Sequence, residues 1–577
     1  MAAVSALLST PAALLSRQLG LTKTVAGWLV RRGHLDVEGA RRFLQPRLAA
    51  LSSPDAMVDR GAVARRLAAA IRARERVAVF GDYDCDGITS AAILTEVLRR
   101  LGGDAVPLIA SRFDGGYGVS ASAARRIVES GARVLVTCDC GSSDHDALEQ
   151  IGQRGIDVIV IDHHLVPERA LPALGFLNPH RPDCGFAYKG MASCGLALSV
   201  AAALRKELGV QLDLRYWLDL VAVGTIADVA PLDGDNRALV RAGLNAILEA
   251  QRPGMQALLE VAKISREVPL TGRDVAFRIA PQLNAPGRLG SADLALELLL
   301  AADLPSARGL AARLDQLSAE RRMQSDSILE QALADISARG FDREAALVLG
   351  RQGWNPGVVG IVAGRLADRF ACPVIVIGFD GPTGRGSVRG PAGSRLHDAL
   401  GHARDLVVRF GGHQQAAGLE VLEERLDELR ERFVHAIRAQ GPAPRADSSA
   451  DLLTVEPGDP LLSVLADLDR LEPCGFGNPR PKIRVVGEIR EAREVKNGHL
   501  KLLLDLGGER RLGGFAIGQG ATARELRGKV EVCGDLRHNT YPGGEAVELF
   551  VERITPVPSD FVSALPARAE VTETAFP

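Results

Sequence analysis

Asp82-Tyr-Asp84-Cys-Asp86-Gly87 places three carboxylates at alternate positions of one short segment. Charge of one sign packed this closely costs Coulomb energy unless cations neutralise it, so a divalent-metal site is the direct reading and an exposed acidic turn the plainer one. An EF-hand is excluded, because position 93 is Ile93 where that loop needs a distal glutamate and no helix precedes the segment. Three other points add donors. Asp139 stands between Cys138 and Cys140, Asp162-His163-His164 sets two imidazoles beside a carboxylate, and Asp228 follows the apolar stretch LDLVAV within GTIADVAP. Hard oxygen plus imidazole suits Mn²⁺ or Mg²⁺ better than the thiolate-rich sites of zinc. Two such ions ~3.5 to 4 Å apart can activate water and stabilise both oxygens of an in-line displacement at phosphorus. A carboxylate such as Asp162 can orient a metal-bound histidine. On an extended backbone Cys138 and Cys140 point opposite to Asp139, which makes them core-facing rather than soft ligands. No Ser-His-Asp arrangement and no GxxxxGKS loop competes for the chemistry.

These donors need a scaffold that gathers them. Val77-Ala-Val-Phe80, Val134-Leu-Val136 and Val158-Ile-Val-Ile161 are short apolar runs, each feeding one polar cluster. Helix-like sequence lies between them, at Ser90 to Leu101 and Asp144 to Gly152. A parallel sheet is expected, with ligands at the carboxyl ends of its strands. Residues 243 to 340 are helical in pattern and end in a long helix whose mixed charges read as a solvated face joining two lobes. Ala346-Leu-Val-Leu349, VVGIVAGRLADRF and CPVIVIG then open a second α/β region. Gln440-GPAPRADSSAD reads as a linker, and residues 480 to 556 alternate like a small antiparallel barrel of OB type.

A chain of 577 residues exceeds what one core supports. The expected division is an N-terminal helical extension over 1–50, a catalytic domain over 51–245, a helical connector over 246–340, a second α/β domain over 341–440, a barrel over 450–556 and a flexible tail over 557–577. With 46% hydrophobic and 24% charged residues the composition is globular, and a net charge of −2 excludes a protein that is basic overall. Eight cysteines without regular spacing point to reduced thiols and a cytoplasmic setting. No run is long enough to span a membrane, and the first residues lack the uninterrupted apolar centre of a signal peptide.

The order DxDxDG, TxDxG, DHH and GTxxDxxP resembles the DHH phosphoesterases. Further stretches match that family's bacterial single-strand-specific exonucleases: LNAPGR ending at Arg288, GVVGIVA from Gly357, Gly386-Ser-Val-Arg389, and Phe410-Gly-Gly-His413-Gln-Gln-Ala-Ala-Gly418. The resemblance implies a DHH-type parallel-sheet domain, a long helix, a DHH-associated α/β domain and the barrel. It implies 5′-to-3′ hydrolysis of single-stranded DNA in repair and recombination, with polarity coming from the resemblance alone. One cation would be held by Asp86, Asp139, His163 and Asp228, the other by Asp82, Asp84 and a bridging Asp139, while His164 faces the scissile phosphate. Phosphate binding falls to Arg288, Ser387, Arg389, Gly411, Gly412 and His413; Arg112 would meet a terminal phosphate and Tyr117 would stack on a base. Single-stranded DNA is the expected partner, with a single-strand-binding protein and a helicase as candidate protein partners and a monomeric state. Two places depart from the family: Asn355 stands where a histidine commonly follows the tryptophan, and GMASCGLAL replaces a more glycine-rich form. A DHH phosphodiesterase acting on short oligonucleotides, cyclic dinucleotides or pyrophosphate, and a non-catalytic replication scaffold, are the alternatives.

Overall fold

Alternate residues of β1 (Arg76–Gly81) enter different cores: Val77 and Val79 join one buried cluster, Ala78 and Phe80 another. β3 (Val134–Cys138) and β4 (Asp157–Ile161) divide in the same way. Strands buried on both faces must lie inside a sheet covered by helices, which is why they read as unbroken apolar runs. With β2 (Asp104–Ile109) and β5 (Gly175–Leu177) they form an all-parallel sheet in the order β2-β1-β3-β4-β5. The strand order reverses between β1 and β3, where such sheets open a crevice at their carboxyl ends. Asp82, Asp139 and Asp162 stand immediately beyond β1, β3 and β4. Their amides still bond to the neighbouring strand, Asp82 to the Cys138 carbonyl at 3.1 Å, Asp139 to Ile161 at 2.9 Å and Asp162 to Leu177 at 3.0 Å.

This computed structural model describes residues 2–340, 344–412, 414, 416–441, 452–456, 458–508, 510–539 and 545–557. His413, most of the expected linker and the tail from 558 lie outside the described residues. One unit comprises Arg47–Asp447 with Pro473–Asn478; the rest of the chain forms a second.

Within the first unit, the helix after β1 spans Cys85–Arg100 and so starts five residues before the expected Ser90, because Asp84 caps it from within the acidic cluster. The LDLVAV stretch lies in a helix, Leu218–Ala227, whose residues Leu218 to Ile226 are all buried, and Asp228 follows it directly. The long helix runs Leu304–Arg339, about 54 Å at 1.5 Å per residue. It starts at Asp303, whose carboxylate accepts the Ser306 amide at 2.8 Å, and stops at Gly340 with φ +66°. Ala307, Ala311 and Leu314 pack into the core of the first sheet, and Ile328, Ala332 and Ile336 into that of the second. One helix therefore holds two α/β lobes. The second sheet has β6 (Leu347–Gln352), β7 (Val374–Asp380), β8 (Thr383–Arg389), β9 (Val407–Gly412) and β10 (Ala416–Leu422) in the order β6-β7-β8-β10-β9. Helix Val359–Phe370 crosses between the parallel pair β6 and β7.

The second unit is a barrel of OB type. β11 (Leu452–Thr454), β12 (Lys482–Val495), β13 (His499–Gly507), β14 (Arg510–Ala516), β15 (Lys529–His538) and β16 (Val547–Pro556) run in the order β11-β12-β13-β14-β16-β15, closed by β12 against β15. Two pairings, β11 with β12 and β14 with β16, are parallel where an antiparallel barrel was expected. Alternation reports which face is buried and is blind to strand direction. Helices Ala2–Leu19, Lys23–Arg31 and Val37–Leu44 belong to this unit: the Thr22 and Thr24 amides donate to Asp467 and Asp459 at 2.6 and 2.7 Å. No helix among the described residues is long and apolar enough to cross a membrane.

Candidate functional site

Two glycines let the acidic turn form. A Cβ on Gly81 would lie 2.5 Å from the Gly87 carbonyl, and one on Gly87 would lie 2.5 Å from Asp82 backbone atoms, so strand end and helix start touch. Asp84 spends one carboxylate oxygen on the amides of Asp86 and Gly87, at 3.1 and 3.2 Å. Asp86 is wholly buried and accepts the amides of Ser193 and Cys194 at 2.7 and 2.9 Å, at the amino end of helix Ser193–Leu208. Asp139 is 2% exposed and accepts the Ser193 hydroxyl at 3.2 Å.

The imidazole of His163 completes the cluster. Its Nε2 lies 3.2 Å from Asp139, 3.6 Å from Asp228 and 3.9 Å from Asp86, yet makes no hydrogen bond. Burial lowers its pKa, so this nitrogen is a neutral donor turned toward carboxylates. Asp82 Oδ1 is likewise buried without a partner. Three sets of donor atoms each fall within 4.8 Å of one another: Asp82, Asp84 and Asp139; Asp86, His163 and Asp228; Asp139, His163 and His164. The sequence-expected ligands are thus brought together, with Asp139 shared. Burial, then mutual repulsion, raises the carboxyls: Asp82 and Asp139 stand well above the usual carboxylate range, Asp86 is raised, and Asp228 is pushed up to about 8. Orphaned hard donors in a cluster that resists its own negative charge fit divalent cations such as Mn²⁺ or Mg²⁺.

His164 differs from its neighbour. Its Nδ1 is 2.7 Å from Asp162 Oδ1, and although burial works against the charged form, this bond and the surrounding carboxylates raise its pKa to about 9. Asp162, opposed by burial but bonded to His164 and the Ser142 amide, falls to about 2. The imidazole is a cation at neutral pH. Tyr117, a residue 45% exposed, places its hydroxyl 3.0 Å from the same Nδ1 and donates to the Asp139 carbonyl at 3.3 Å.

The cysteine reasoning needs correction. Asp139 has φ +63°, so the backbone is left-handed rather than extended, and Cys138 and Cys140 turn into the two cores on opposite faces of the sheet. Burial raises both thiols, which stay protonated. Their exclusion as ligands stands on burial.

A group of arginines faces the acids. Burial, then Arg112, Arg321 and Arg389, lowers Arg288 to about 10; burial, then Arg112, lowers Arg389. Among the described residues none of Arg112, Arg288 and Arg389 forms an ion pair, and Arg112 Nε is buried without a partner. Such mutual repulsion is tolerable where an anion is to be received. The Arg112 guanidinium stands 4.2 Å over the Tyr83 ring. Ser387 and Arg389 lie on β8 beside Gly360, whose Cβ would stand 3.0 Å from Ser387 Oγ and 3.6 Å from Arg389 Nη2, at the start of helix Val359–Phe370. Gly418 pairs with Ser387 on one side and Gly411 on the other, which carries the row to Gly411 and Gly412 on β9.

Both departures now have local roles. Asn355 bridges Gln324 Oε1 at 2.8 Å and the Gly357 amide at 2.8 Å, tying its turn to the long helix. The GMASCGLAL segment supplies Ser193 and Cys194, so its departure bears on the acidic cluster itself and not, as expected, on the local backbone alone. Sequence reasoning quoted the stretches that hold Ser193, Cys194 and Asn284, which accepts the Cys85 amide at 3.0 Å, without giving these residues a role, and missed Asn178, which donates to the His164 carbonyl at 2.8 Å.

Comparison with known proteins agrees. Residues 76–225 match the DHH family N-terminal domain, residues 344–439 the DHHA1 domain and residues 453–553 the RecJ OB domain. The single-stranded-DNA-specific exonuclease RecJ of Dickeya dadantii is 35% identical over 522 residues, 85% of this chain and 89% of that protein. Its namesake in Bacillus subtilis is 35% identical over 492 residues, 83% of this chain and 60% of that longer protein. The crystal structure of RecJ in complex with Mn²⁺ from Thermus thermophilus superposes with a TM-score of 0.79 at 32% identity, covering 95% of this chain and 78% of that one.

Proposed function

We propose, since the chain belongs to the RecJ family of single-stranded-DNA-specific exonucleases, that it hydrolyses phosphodiester bonds of single-stranded DNA from the 5′ end with two divalent cations. The observation that carries this is the convergence of Asp82, Asp84, Asp86, Asp139, His163 and Asp228 near arginines that, among the described residues, form no ion pair. Asp86, Asp139, His163 and Asp228 would hold one cation, and Asp82, Asp84 and Asp139 the other. When bound, such cations supply Lewis-acid charge that acidifies water and neutralises phosphoryl oxygens. The chain's own groups do the rest. The Ser193 and Cys194 amides fix the Asp86 carboxylate. Asp162 engages Nδ1 of His164 and leaves Nε2 to face the scissile phosphate as a proton-transfer or electrostatic group. Arg112, Arg288, Ser387 and Arg389, continued by Gly411 and Gly412, bind phosphate, with arginine's planar fork matched to its oxygens, and family resemblance adds His413 to them. Tyr117 offers its exposed face to a base.

In this reading residues 51–245 are the catalytic domain, 246–340 the connector, 341–440 the DHH-associated domain and 450–556 the barrel, with 1–50 a helical extension and 557–577 a tail. The protein works in repair and recombination as a cytoplasmic monomer alongside a single-strand-binding protein and a helicase. The deciding experiment supplies Mn²⁺ and compares single-stranded DNA labelled at either end with duplex, dinucleotide and cyclic dinucleotide. Mononucleotides released from the 5′ end of single strands are expected. Activity confined to dinucleotides, or none, would refute the proposal.

A further inference from the structure

We infer that Asn284 is a positioning residue that locks the metal-binding turn to the phosphate-facing arginines and so fixes how far from its held end a strand is cut. This rests on the exonuclease reading above. Cys85 N is the first amide of helix Cys85–Arg100 and lies between two acids of the cluster. The next two amides are capped from within the turn by Asp84. Cys85 N instead donates to Asn284 Oδ1 at 3.0 Å, across 199 residues of sequence. The same segment touches the turn twice more. Cys85 Sγ donates to the Ala280 carbonyl at 3.4 Å, and a Cβ on Gly287 would stand 2.8 Å from the Tyr83 carbonyl.

The opposite side of this segment meets the second lobe. Arg288 Nη1 donates to the Gly357 carbonyl at 3.3 Å, and a Cβ on Gly357 would lie only 1.9 Å from the Arg288 carbonyl. Asn284 and Arg288 are four residues apart, and the backbone between them stays helical at Ala285 (φ −65°, ψ −44°). Five residues therefore span from the acidic turn to the arginine cluster with van der Waals contact on both sides. A spacer this short leaves no slack. Its length sets the separation between the cations and the terminal phosphate, and Asn284 is the polar bond that seats its acidic end.

Without the Asn284 acceptor the Cys85 amide is left unpaired in a half-buried turn, and Asp84 and Asp86 lose a fixed reference to Arg288. Groups that orient metal ligands are worth about tenfold or more in metal affinity. The test uses the full chain, with Mn²⁺ alone as the probe followed by electron paramagnetic resonance, and separately a 5′-phosphorylated single strand whose first products are mapped. Asn284→Ala should weaken Mn²⁺ binding about tenfold, lower kcat with KM little changed, and give first products of mixed length. Asn284→Asp keeps the acceptor and should bind Mn²⁺ no more weakly than the parent. An Asn284→Ala protein with parental Mn²⁺ affinity and uniform products overturns the inference, as does an Asn284→Asp protein that behaves like it. If Asn284→Ala does not fold, Gly287→Ala presses on Tyr83 from the same segment, and uniform first products from that variant overturn the inference equally. A parent that binds Mn²⁺ but cuts no DNA refutes the exonuclease reading, while the Mn²⁺ titration still decides the role of Asn284.

Discussion

Replacing Asp139 by Asn should stabilise the metal-free protein and disable the loaded one. The substitution is close to a pure charge removal. Asn is among the few residues that accept the left-handed backbone found here, φ +63°, and it keeps the Oδ1 that receives the Ser193 hydroxyl. Ala would add a backbone cost to the effect of interest. The Asp139 carboxyl is 2% exposed, and burial followed by Asp86, Asp84, Asp228 and Asp162 raises its pKa well above the ordinary value. Two like charges about 4 Å apart repel by about 4 kcal/mol at an effective dielectric of about 20. The folded protein relieves this by holding a proton that the unfolded chain releases near pH 3.8. Stability is therefore full below that pH and is lost as pH rises toward the folded pKa. Each pH unit of that rise costs about 1.4 kcal/mol. Asp139→Asn removes that cost. In saturating Mn²⁺ the order inverts, because the parent gains about 2.7 kcal/mol per site at a hundredfold excess over Kd, and the variant forfeits gain at both sites. Thermal unfolding in chelator and in Mn²⁺, at pH 4 and pH 7, measures all four terms. A variant less stable than the parent in chelator at pH 7 would refute the like-charge account, and near-normal cleavage would refute the bridging role.

Cation binding should release protons, because Asp228 is pushed up to about 8 and its neighbours are raised with it. Mn²⁺ affinity should climb as pH rises toward about 8 and level off above it; calorimetry in buffers of different ionisation enthalpy counts the protons, and a count of zero contradicts the raised carboxyls. Gly224→Ala puts a methyl 2.4 Å from Thr89 Oγ1, 2.7 Å from Cys194 Sγ and 2.9 Å from Asp86 Oδ1. It should cost about 1 to 3 kcal/mol of stability and weaken Mn²⁺ binding; unchanged denaturation and titration curves would show that the site yields. Arg389→Ala relieves repulsion among half-buried arginines, so its stability should hold or rise while affinity for 5′-phosphorylated single strands falls; equal affinity for phosphorylated and hydroxyl ends in the parent would deny Arg389 that role.

The acids and imidazoles were legible because each follows an apolar run, and a parallel sheet delivers such positions to one rim. Asp228 was legible for the same reason even though its run is a helix. The arginines, Ser387 and the glycines of β9 were named through family resemblance, since nothing local distinguishes an arginine awaiting phosphate from one in a surface ion pair. The supporting layer was not legible. Ser193 and Cys194 act through backbone amides, which have no signature in residue type, and Asn284 acts at a distance of 199 residues. The left-handed turn at Asp139 was also hidden, so an argument from extended geometry reached the right exclusion of Cys138 and Cys140 by the wrong route. Nothing in residues 1–50 announces a partnership with Asp459 and Asp467.

Acids and arginines feel each other's charge in a chain whose net charge is only −2, yet among the described residues Arg112, Arg288 and Arg389 form no ion pair with the acids. Local geometry prevents pairing. Tyr83 lies between Asp82 and Asp84 in sequence, and its ring holds the Arg112 guanidinium at 4.2 Å, a cation–π contact that occupies the arginine without discharging a carboxylate. The Arg288 guanidinium is anchored to the Gly357 carbonyl, and Arg389 to that of Val388, so both are held by neutral acceptors. Direct ion pairs would lower the free energy of the empty protein and close both sites. On the proposed reading a single strand with its cations would resolve the conflict from outside, metal ions answering the carboxylates and phosphates the guanidinium groups. On that reading the repulsion built into each cluster would become binding energy for the ligand of opposite sign.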